Sequence, residues 1–186
     1  MPEYFTNGFI RWKKDYTSLV IMKDITNVES IFGNESQTVS EEEMKTYKNF
    51  YAGTSKGNEY NTIEGNKYSN NENKNKQILR NIFQKNCTNL FIGMSVENIC
   101  DKLFSNFTSL KSIKFYGIED DFTSIESIGN NAFNGCKSLE EITIPMTVTN
   151  LGQGCFDGCS QLSTITFKGK LFYNNLGISN SNNLDK

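Results

Sequence analysis

A 23-residue internal repeat constrains the fold of this chain more than any other feature. Residues 125–144 align with residues 148–167, so that Ile128 meets Leu151 and Phe133 meets Phe156. Ten small or apolar positions coincide in this alignment, which chance composition does not produce. A unit of this length with one short strand cannot bury its apolar side alone, so the copies are expected to stack on one another.

An earlier copy of the unit lies upstream at a longer spacing, with Phe104 preceding Phe133. The extra residues have the sequence GIEDDF and occupy 117–122, so this turn carries an acidic insertion. The repeat array then spans residues 87–168 and holds four strand units, near residues 90, 113, 142 and 165.

Each unit carries the pattern LxxIxI, whose alternating side chains face one side of a short strand. Units stacked in register predict a short parallel sheet, with strands about 4.8 Å apart and columns of like side chains inside. Three columns are expected: Leu110, Leu139 and Leu162; Ile113, Ile142 and Ile165; and Phe104, Phe133 and Phe156.

A family resemblance is carried by the phrase SIGNNAFNGCKSLEEITIPMTVTNLGQGCFDGCSQLSTITFKG. It resembles the BspA-like, or Treponema pallidum-type, leucine-rich repeat, which reads roughly LxxIxIPxxVxxIGxxAFxxCx. The resemblance implies a leucine-rich-repeat solenoid with right-handed coils of about 23 residues. It also implies no cofactor, no catalysis and a protein-binding or adhesive role. This chain departs from the pattern at Cys87, Cys100 and Cys155.

Outside the repeats the sequence predicts an irregular mixed α/β region over residues 1–76, which would cap the stack or dock it onto something larger. In it, FIRW and SLVIM are candidates for paired strands, and Ser40 begins a helix with a capping box and a hydrophobic staple. The polar, Asn-rich stretch 52–76 is expected to be a loop or linker. A capping helix is expected at 77–86, and a C-terminal cap with a polar tail at 169–186.

Composition argues against several classes of function. The chain has no His, which excludes Ser-His-Asp catalysis, Cys-His catalysis and His-ligated zinc. Its net charge of -2 argues against nucleic-acid binding, although the basic and aromatic segment GFIRWKKDY keeps a small patch of that kind open. No apolar run is long enough to cross a bilayer, and the N-terminus lacks a secretory-signal pattern.

The five cysteines allow several interpretations. Cys136 and Cys159 occupy the same repeat position, so neighbouring coils would bring them within disulfide reach. Cys155 and Cys159 form a CxxxC pair, which is too few ligands for a zinc site. The favoured interpretation is that they are reduced thiols buried as small apolar side chains, with no metal bound.

The outward-facing side chains of the strands define a candidate partner-binding surface. Phe91, and Lys114 with Tyr116 beside the acidic insertion, differ from the Ser and Thr around them, although a solvated face can also be charged. The candidate set is Phe91, Lys114, Tyr116, Glu119, Asp120, Asp121, Glu141, Thr143, Thr166 and Lys168.

Two functions from different classes follow. The first is a non-catalytic module for protein–protein recognition or adhesion, with an unidentified protein partner. The alternative is a structural subunit of a larger assembly, such as a virion, a fibre or a surface appendage, anchored through residues 1–85. An enzyme is disfavoured because the acidic runs supply no paired acid and base in a pocket. The location of the protein is left open between a cell surface and a particle such as a virion.

Overall fold

The structure, a computed structural model, describes residues 10–13, 15–33, 40–42, 44–45, 60–63, 72–116 and 123–169. Its helices and strands are β1 (Ile10–Lys13), β2 (Ser18–Ile21), α1 (Val28–Phe32), β3 (Tyr60–Ile63), α2 (Glu72–Asn86), β4 (Asn89–Ile92), β5 (Asn98–Ile99), β6 (Ser112–Phe115), β7 (Ser127–Ile128), β8 (Glu141–Ile144), β9 (Asn150–Leu151) and β10 (Thr164–Phe167). Residues 41–42 and 44–45 are also helical, after Ser40 as expected. The expected capping box and staple involve Glu43 and Val39, which lie outside the described residues.

Parallel strands recur through the repeat region. β4 pairs with β6, so that Leu90 lies opposite Ile113, one repeat length further along the chain. β8 pairs with β10 in the same way and sets Ile142 opposite Ile165, again one repeat length further on. The strand units expected near residues 90, 113, 142 and 165 are therefore confirmed.

A second set of parallel strands forms at the VxxIG part of the repeat, outside the strand units that the sequence predicted. The two-residue strands β5, β7 and β9 form their own sheet, in which Ile128 pairs with Ile99 on one side and Leu151 on the other. Gly129 follows β7 and Gly152 follows β9, and glycine at these positions allows a close approach between units. A Cβ on Gly152 would overlap the backbone nitrogen of Asn130.

The predicted columns of like side chains fill the interior. The Phe104 and Phe133 rings stack with centroids 5.4 Å apart, and those of Phe133 and Phe156 with centroids 5.8 Å apart. The leucine column is fully buried at its three positions, Leu110, Leu139 and Leu162. In the isoleucine column two positions are buried and the third, Ile165, is half-buried against the core.

The N-terminal strands continue the repeat sheet, which the sequence did not reveal. β1 and β2 pair antiparallel, as expected for FIRW and SLVIM. β2 also pairs in parallel with β4, setting Leu19 opposite Leu90, and Ile25 bridges to Ile99 in the second sheet. The segment from β2 to Ile25 thus occupies the position of one more repeat unit.

The expectation of a loop or linker over residues 52–76 is wrong in two places. Residues 60–63 form β3, which pairs antiparallel with β1 and so satisfies backbone groups at that edge. Helix α2 begins at Glu72, before the predicted start at residue 77. Pairing with a neighbouring strand stabilises a polar segment that composition alone would leave unfolded.

Helix α2 packs on the core through its apolar side. Phe83 is fully buried, and its ring meets that of Trp12 edge-on at 5.7 Å and that of Phe32 at 6.2 Å. Arg80 is 4% exposed and donates a hydrogen bond to Ser105 Oγ at 3.0 Å. These contacts tie the helix to strand β1, to α1 and to a repeat turn at once.

The single continuous sheet expected of a solenoid is not formed within the described residues. β4 and β6 belong to a five-stranded sheet of order β3-β1-β2-β4-β6, whereas β8 and β10 form a separate pair. The break falls between β6 and β8, where the insertion at 117–122 lengthens the unit. Tyr116, just after β6, donates its backbone N–H to Ile92 O of β4 at 2.7 Å. Pro145 takes the equivalent position just after β8, but it has no backbone N–H with which to make the corresponding bond to β6.

Candidate functional site

A cleft of about 410 Å³ opens where β6 and β8 fail to pair. Its floor is apolar, because Ile113 and Ile142 are 8% and 3% exposed. Its walls carry Lys111, Ser112, Lys114, Phe115, Thr123, Glu141, Thr143, Pro145 and Lys168. Strand alternation explains this division, since successive residues of a strand face opposite sides.

The structure brings four of the predicted site residues together at this cleft. Lys114, Glu141, Thr143 and Lys168 all line it and are exposed. Thr166 is exposed and lies opposite Thr143 in the register of β8 and β10. The three acidic positions of the insertion lie outside the described residues: Glu119, Asp120 and Asp121.

An aromatic pair joins strand β4 to the end of strand β6. The rings of Phe91 on β4 and Tyr116 after β6 have centroids 5.6 Å apart and planes tilted by 32°. Phe91 is half-buried, while Tyr116 is 41% exposed. The pair therefore holds an amphipathic aromatic group at the surface in a fixed position.

Two exposed methionines, which sequence reasoning missed, lie at comparable places after the parallel strands. Met94 is 40% exposed and Met146 is 50% exposed; with Tyr116 they are the exposed large hydrophobic residues of the described part of the chain. Each of the three comes one or two residues after the end of a parallel strand. The position of all three residues just after a strand unit was the sequence signal that could have identified the two methionines.

A second cleft, of about 790 Å³, runs along the sheet of β5, β7 and β9. Its polar side chains bond to the neighbouring unit: Asp24 Oδ1 accepts the amides of Glu97 and Asn98 at 2.8 and 2.9 Å. Asp101 Oδ1 likewise accepts the Asn130 amide at 2.7 Å. These groups are occupied in holding the stack together, so this cleft is structural.

Burial raises the pKa of four of the five cysteine thiols. All five are free, and burial raises the pKa of Cys87 to about 12 and that of Cys100 to about 11. Burial also raises the pKa of Cys136, while its hydrogen bond to Cys159 lowers the pKa of that second thiol. In the part of the chain that the structure describes, no group of three Cys, Asp or Glu side chains is arranged to hold a metal ion.

Two aromatic side chains of the segment GFIRWKKDY, those of Trp12 and Tyr16, are buried and not available to a nucleic acid or to a docking partner. Trp12 is 1% exposed and Tyr16 is 3% exposed, and their rings pack on each other and on Phe83. Lys13 is engaged with Asp15 in a 3.7 Å ion pair. Among the described residues, no helix has the length and apolar character needed to cross a bilayer.

The repeat pattern decides the family. Residues 76–185 match the model of the "BspA type Leucine rich repeat region (6 copies)". The chain belongs to the BspA-type leucine-rich repeat family. The match begins within α2 and extends beyond β10, so it is wider than the 87–168 predicted. Strands β4 to β10 lie within the matched residues, whereas the parallel strand β2 lies outside them.

Three solved structures of bacterial proteins resemble part of the chain. A leucine-rich cell surface protein from Faecalibacterium prausnitzii is 32% identical over 45% of this chain and 20% of its own, with a TM-score of 0.40. The pneumococcal vaccine antigen PcpA is 30% identical over 46% of this chain and 20% of its own, with a TM-score of 0.39.

A leucine-rich repeat protein of T. pallidum is 20% identical over 43% of this chain and 45% of its own, with a TM-score of 0.32. The matched part spans about a fifth of the F. prausnitzii and pneumococcal proteins. No curated protein shows significant similarity to the chain.

Proposed function

We propose that this chain is a non-catalytic module that recognises a partner protein through the outer face and the C-terminal ends of its parallel strands. One observation carries the proposal: Met94, Tyr116 and Met146 are exposed and all follow the ends of parallel strands. Aromatic and Met side chains are enriched at protein interfaces relative to the rest of the surface. BspA-type leucine-rich repeats in general suggest protein–protein interaction.

The Phe91–Tyr116 pair would supply the central anchor of this surface. Tyr116 is held by the neighbouring ring at 5.6 Å, so little side-chain entropy is lost when a partner covers it. Its hydroxyl adds a polar group to an apolar body, which suits an interface that is exposed before binding. Thr143 and Thr166, which are exposed on β8 and β10, would form part of the rim.

The finer architecture is part of the same proposal. The repeat units 87–168 would wind as a short right-handed solenoid, with the coil length that the resemblance implies. The registers of β4 with β6 and of β8 with β10 support this winding. Residues 1–76 and the helix at 77–86 would cap one end, and residues 169–186 the other. Adhesion is the form of this function most typical of the family, and a surface location stays a prediction.

The alternative of a structural subunit anchored through residues 1–85 has less support. It relied on aromatic side chains near the N-terminus docking onto something larger. Trp12 and Tyr16 are instead part of the hydrophobic core, together with Phe83 of α2. No observation within the described residues favours that role over recognition.

Site-specific photo-cross-linking tests the proposal. A benzophenone amino acid at Tyr116 is compared with one at Gln161, an exposed position on a repeat turn. In an extract of the source organism, position 116 should give a discrete cross-linked product that unlabelled wild-type chain competes away. Equal products from the two positions, or none from position 116, would overturn it.

The full chain has to be used in this experiment. Cutting between residues 85 and 86 would separate β2 from β4, which pair from Ser18 with Asn89 to Ile21 with Ile92. It would also divide one core cluster that runs from Ile10 to Leu162. Separate halves would therefore report on misfolding rather than on partner binding.

A further inference from the structure

We propose that Cys136 and Cys159 form a reversible disulfide when the protein meets hydrogen peroxide. The bond would link the repeat unit that carries β8 to the unit that carries β10. All five cysteines are free in the structure, which therefore represents the reduced state of this pair. The inference concerns the repeat stack itself and does not depend on the partner proposed above.

The backbones that carry the two cysteines lie close together. Gly135 and Gly158 directly precede them, and a Cβ built on Gly158 would lie 3.4 Å from Gly135 Cα. Gly135 N also donates to Asp157 O at 2.7 Å, so this turn is hydrogen-bonded to its copy in the next unit. Hydrogen-bonded neighbouring strands are about 4.8 Å apart, and a similar separation of these turns lies inside the range of Cα distances that a disulfide spans.

The side chain of Cys159 points towards the unit that holds Cys136. Its Sγ donates a hydrogen bond to Phe133 O at 3.2 Å, and Phe133 belongs to the same turn as Cys136. The two thiols also hydrogen-bond to each other. The sulfur atoms are therefore in contact already, so the disulfide requires rotation about the Cα–Cβ bonds and no sliding of one unit past the other.

Loss of the present thiol hydrogen bonds leaves no backbone carbonyl without a donor. Cys136 Sγ donates to Phe104 O at 3.4 Å, but that carbonyl also accepts the Phe107 amide at 3.3 Å. Phe133 O, to which Cys159 donates, likewise accepts the Cys136 amide at 3.2 Å. Because an S–H group is a weak donor, losing these two bonds costs less than leaving a buried carbonyl unpaired.

Cys159 is the nucleophile of the pair. The hydrogen bond from Cys136 lowers the pKa of the Cys159 thiol, and the thiolate is the form that reacts with oxidants. Burial raises the pKa of the other four thiols, those of Cys87, Cys100, Cys136 and Cys155. Cys159 is only 2% exposed, so a peroxide as small as hydrogen peroxide reaches it more readily than a bulky disulfide oxidant does.

The reaction is a two-electron oxidation of the protein. The Cys159 thiolate attacks one oxygen of hydrogen peroxide and the O–O bond breaks. A sulfenic acid forms, and the released hydroxide takes up the proton that Cys159 had lost. The sulfur of Cys136 then attacks the sulfur of Cys159, the S–O bond breaks, and the hydroxyl group leaves as water with the proton of Cys136. Two thiols and one peroxide thus give one disulfide and two waters.

Peptide mapping of the full chain tests this bond. The folded protein is treated with hydrogen peroxide, its remaining thiols are alkylated in urea, and tryptic peptides are analysed by mass spectrometry. Oxidation should lower the alkylated thiols from five to three and link peptide 115–137 to peptide 138–168. Dithiothreitol should restore all five. The proposal fails if five thiols are still alkylated after peroxide, or if the linked peptides form only from the urea-unfolded chain.

Alanine variants identify the sulfur atoms, because Cys155 and Cys159 lie on the same tryptic peptide. Cys155→Ala should keep the linked peptides and Cys159→Ala should lose them. Cys87→Ala is the matched control, since it removes a buried thiol elsewhere and should leave the link intact. Linked peptides that persist in Cys159→Ala would assign the bond to Cys155 and overturn the proposal.

The urea midpoint shows whether the bond is compatible with the folded stack. The oxidised chain should unfold at a higher urea concentration than the reduced chain, because a link across one repeat length restricts the unfolded chain. Cys159→Ala should show no such rise after peroxide treatment. An unchanged or lower midpoint in the oxidised wild-type chain would contradict a disulfide that the folded units accommodate.

Discussion

The ring of Phe133 lies almost parallel to that of Phe156, with 5° between their planes and 5.8 Å between their centroids. On its other side Phe133 stacks on Phe104 at 5.4 Å, so the middle ring has two stacked neighbours. Since each aromatic pair is worth about 0.5–1.5 kcal/mol beyond its buried area, the middle position should matter most.

We therefore expect Phe133→Leu to lower the free energy of unfolding by about 1–3 kcal/mol, because two stacked pairs are lost. Phe156→Leu removes the pair with Phe133 and should cost about half as much. Urea denaturation of the two variants measures both changes. Equal losses would show that the column does not act through stacking of neighbouring units.

Gly152 and Gly158 should respond differently to alanine. A Cβ at Gly152 would overlap Asn130 N and the Gly129 carbonyl carbon, which are backbone atoms that cannot move aside. Gly158 has a φ of 71° but its added Cβ would lie 3.4 Å from Gly135, an ordinary distance. Gly158→Ala should cost about 1 kcal/mol. Gly152→Ala should cost several times more or prevent folding, as thermal melts followed by circular dichroism will reveal.

Asp24 should stabilise the attachment of the N-terminal segment to the first repeat unit. Its Oδ1 accepts the Glu97 and Asn98 amides at 2.8 and 2.9 Å, and Asp24→Ala would leave both donors to water. We expect a loss of about 1–2 kcal/mol for Ala and a smaller loss for Asn, which keeps an acceptor oxygen. Hydrogen exchange should show faster exchange of these two amides in Asp24→Ala, and unchanged rates would contradict the prediction.

Stability should fall at alkaline pH because of the buried thiol of Cys87. Its pKa is raised from 9.0 to about 12 in the folded chain, so above pH 9 the unfolded chain loses a proton that the folded chain keeps. The stabilisation is complete below pH 9 and is lost as the pH rises towards 12. The slope per thiol is at most about 1.4 kcal/mol per pH unit.

Urea denaturation between pH 8 and pH 11 measures this dependence. Cys87→Ala should have a lower stability at pH 8 because it removes a buried side chain, but a shallower decline above pH 9. A decline as steep as that of the wild-type chain would assign the pH dependence to other groups.

Sequence alone predicted the columns and the four strand units because a fixed offset encodes them directly. Phe104, Phe133 and Phe156 stack since each fills the same position of a unit that is hydrogen-bonded to the next. The strand β2 was predicted, but its place in the repeat sheet was not, because the unit it begins shares no motif spacing with the others. Leu19 and Leu90 pair although they are distant in the sequence, and helix α1 follows the point where Ile25 bridges to Ile99 of β5.

The candidate surface was predictable in part for the same reason. Alternation within a strand places Lys114 and Thr143 outward from their sequence positions alone. The cleft was not predictable, because it depends on two strands failing to pair. β6 and β8 fail to pair where the insertion at 117–122 and Pro145 occur together, and neither feature by itself would predict the missing pairing. The outward position of residue 91 was foreseen, but its ring contact with Tyr116 depends on the register between β4 and β6.

The reversal of β1 against β2 sets the direction in which such an array can be lengthened. A duplicated unit needs a parallel neighbour on each side, and upstream of β2 the adjoining strand runs the opposite way. Gene duplication, or a designer adding binding area, would have to place new units downstream of β2. The hairpin of β1 and β2 therefore marks the end of the array at which no further parallel unit can be added.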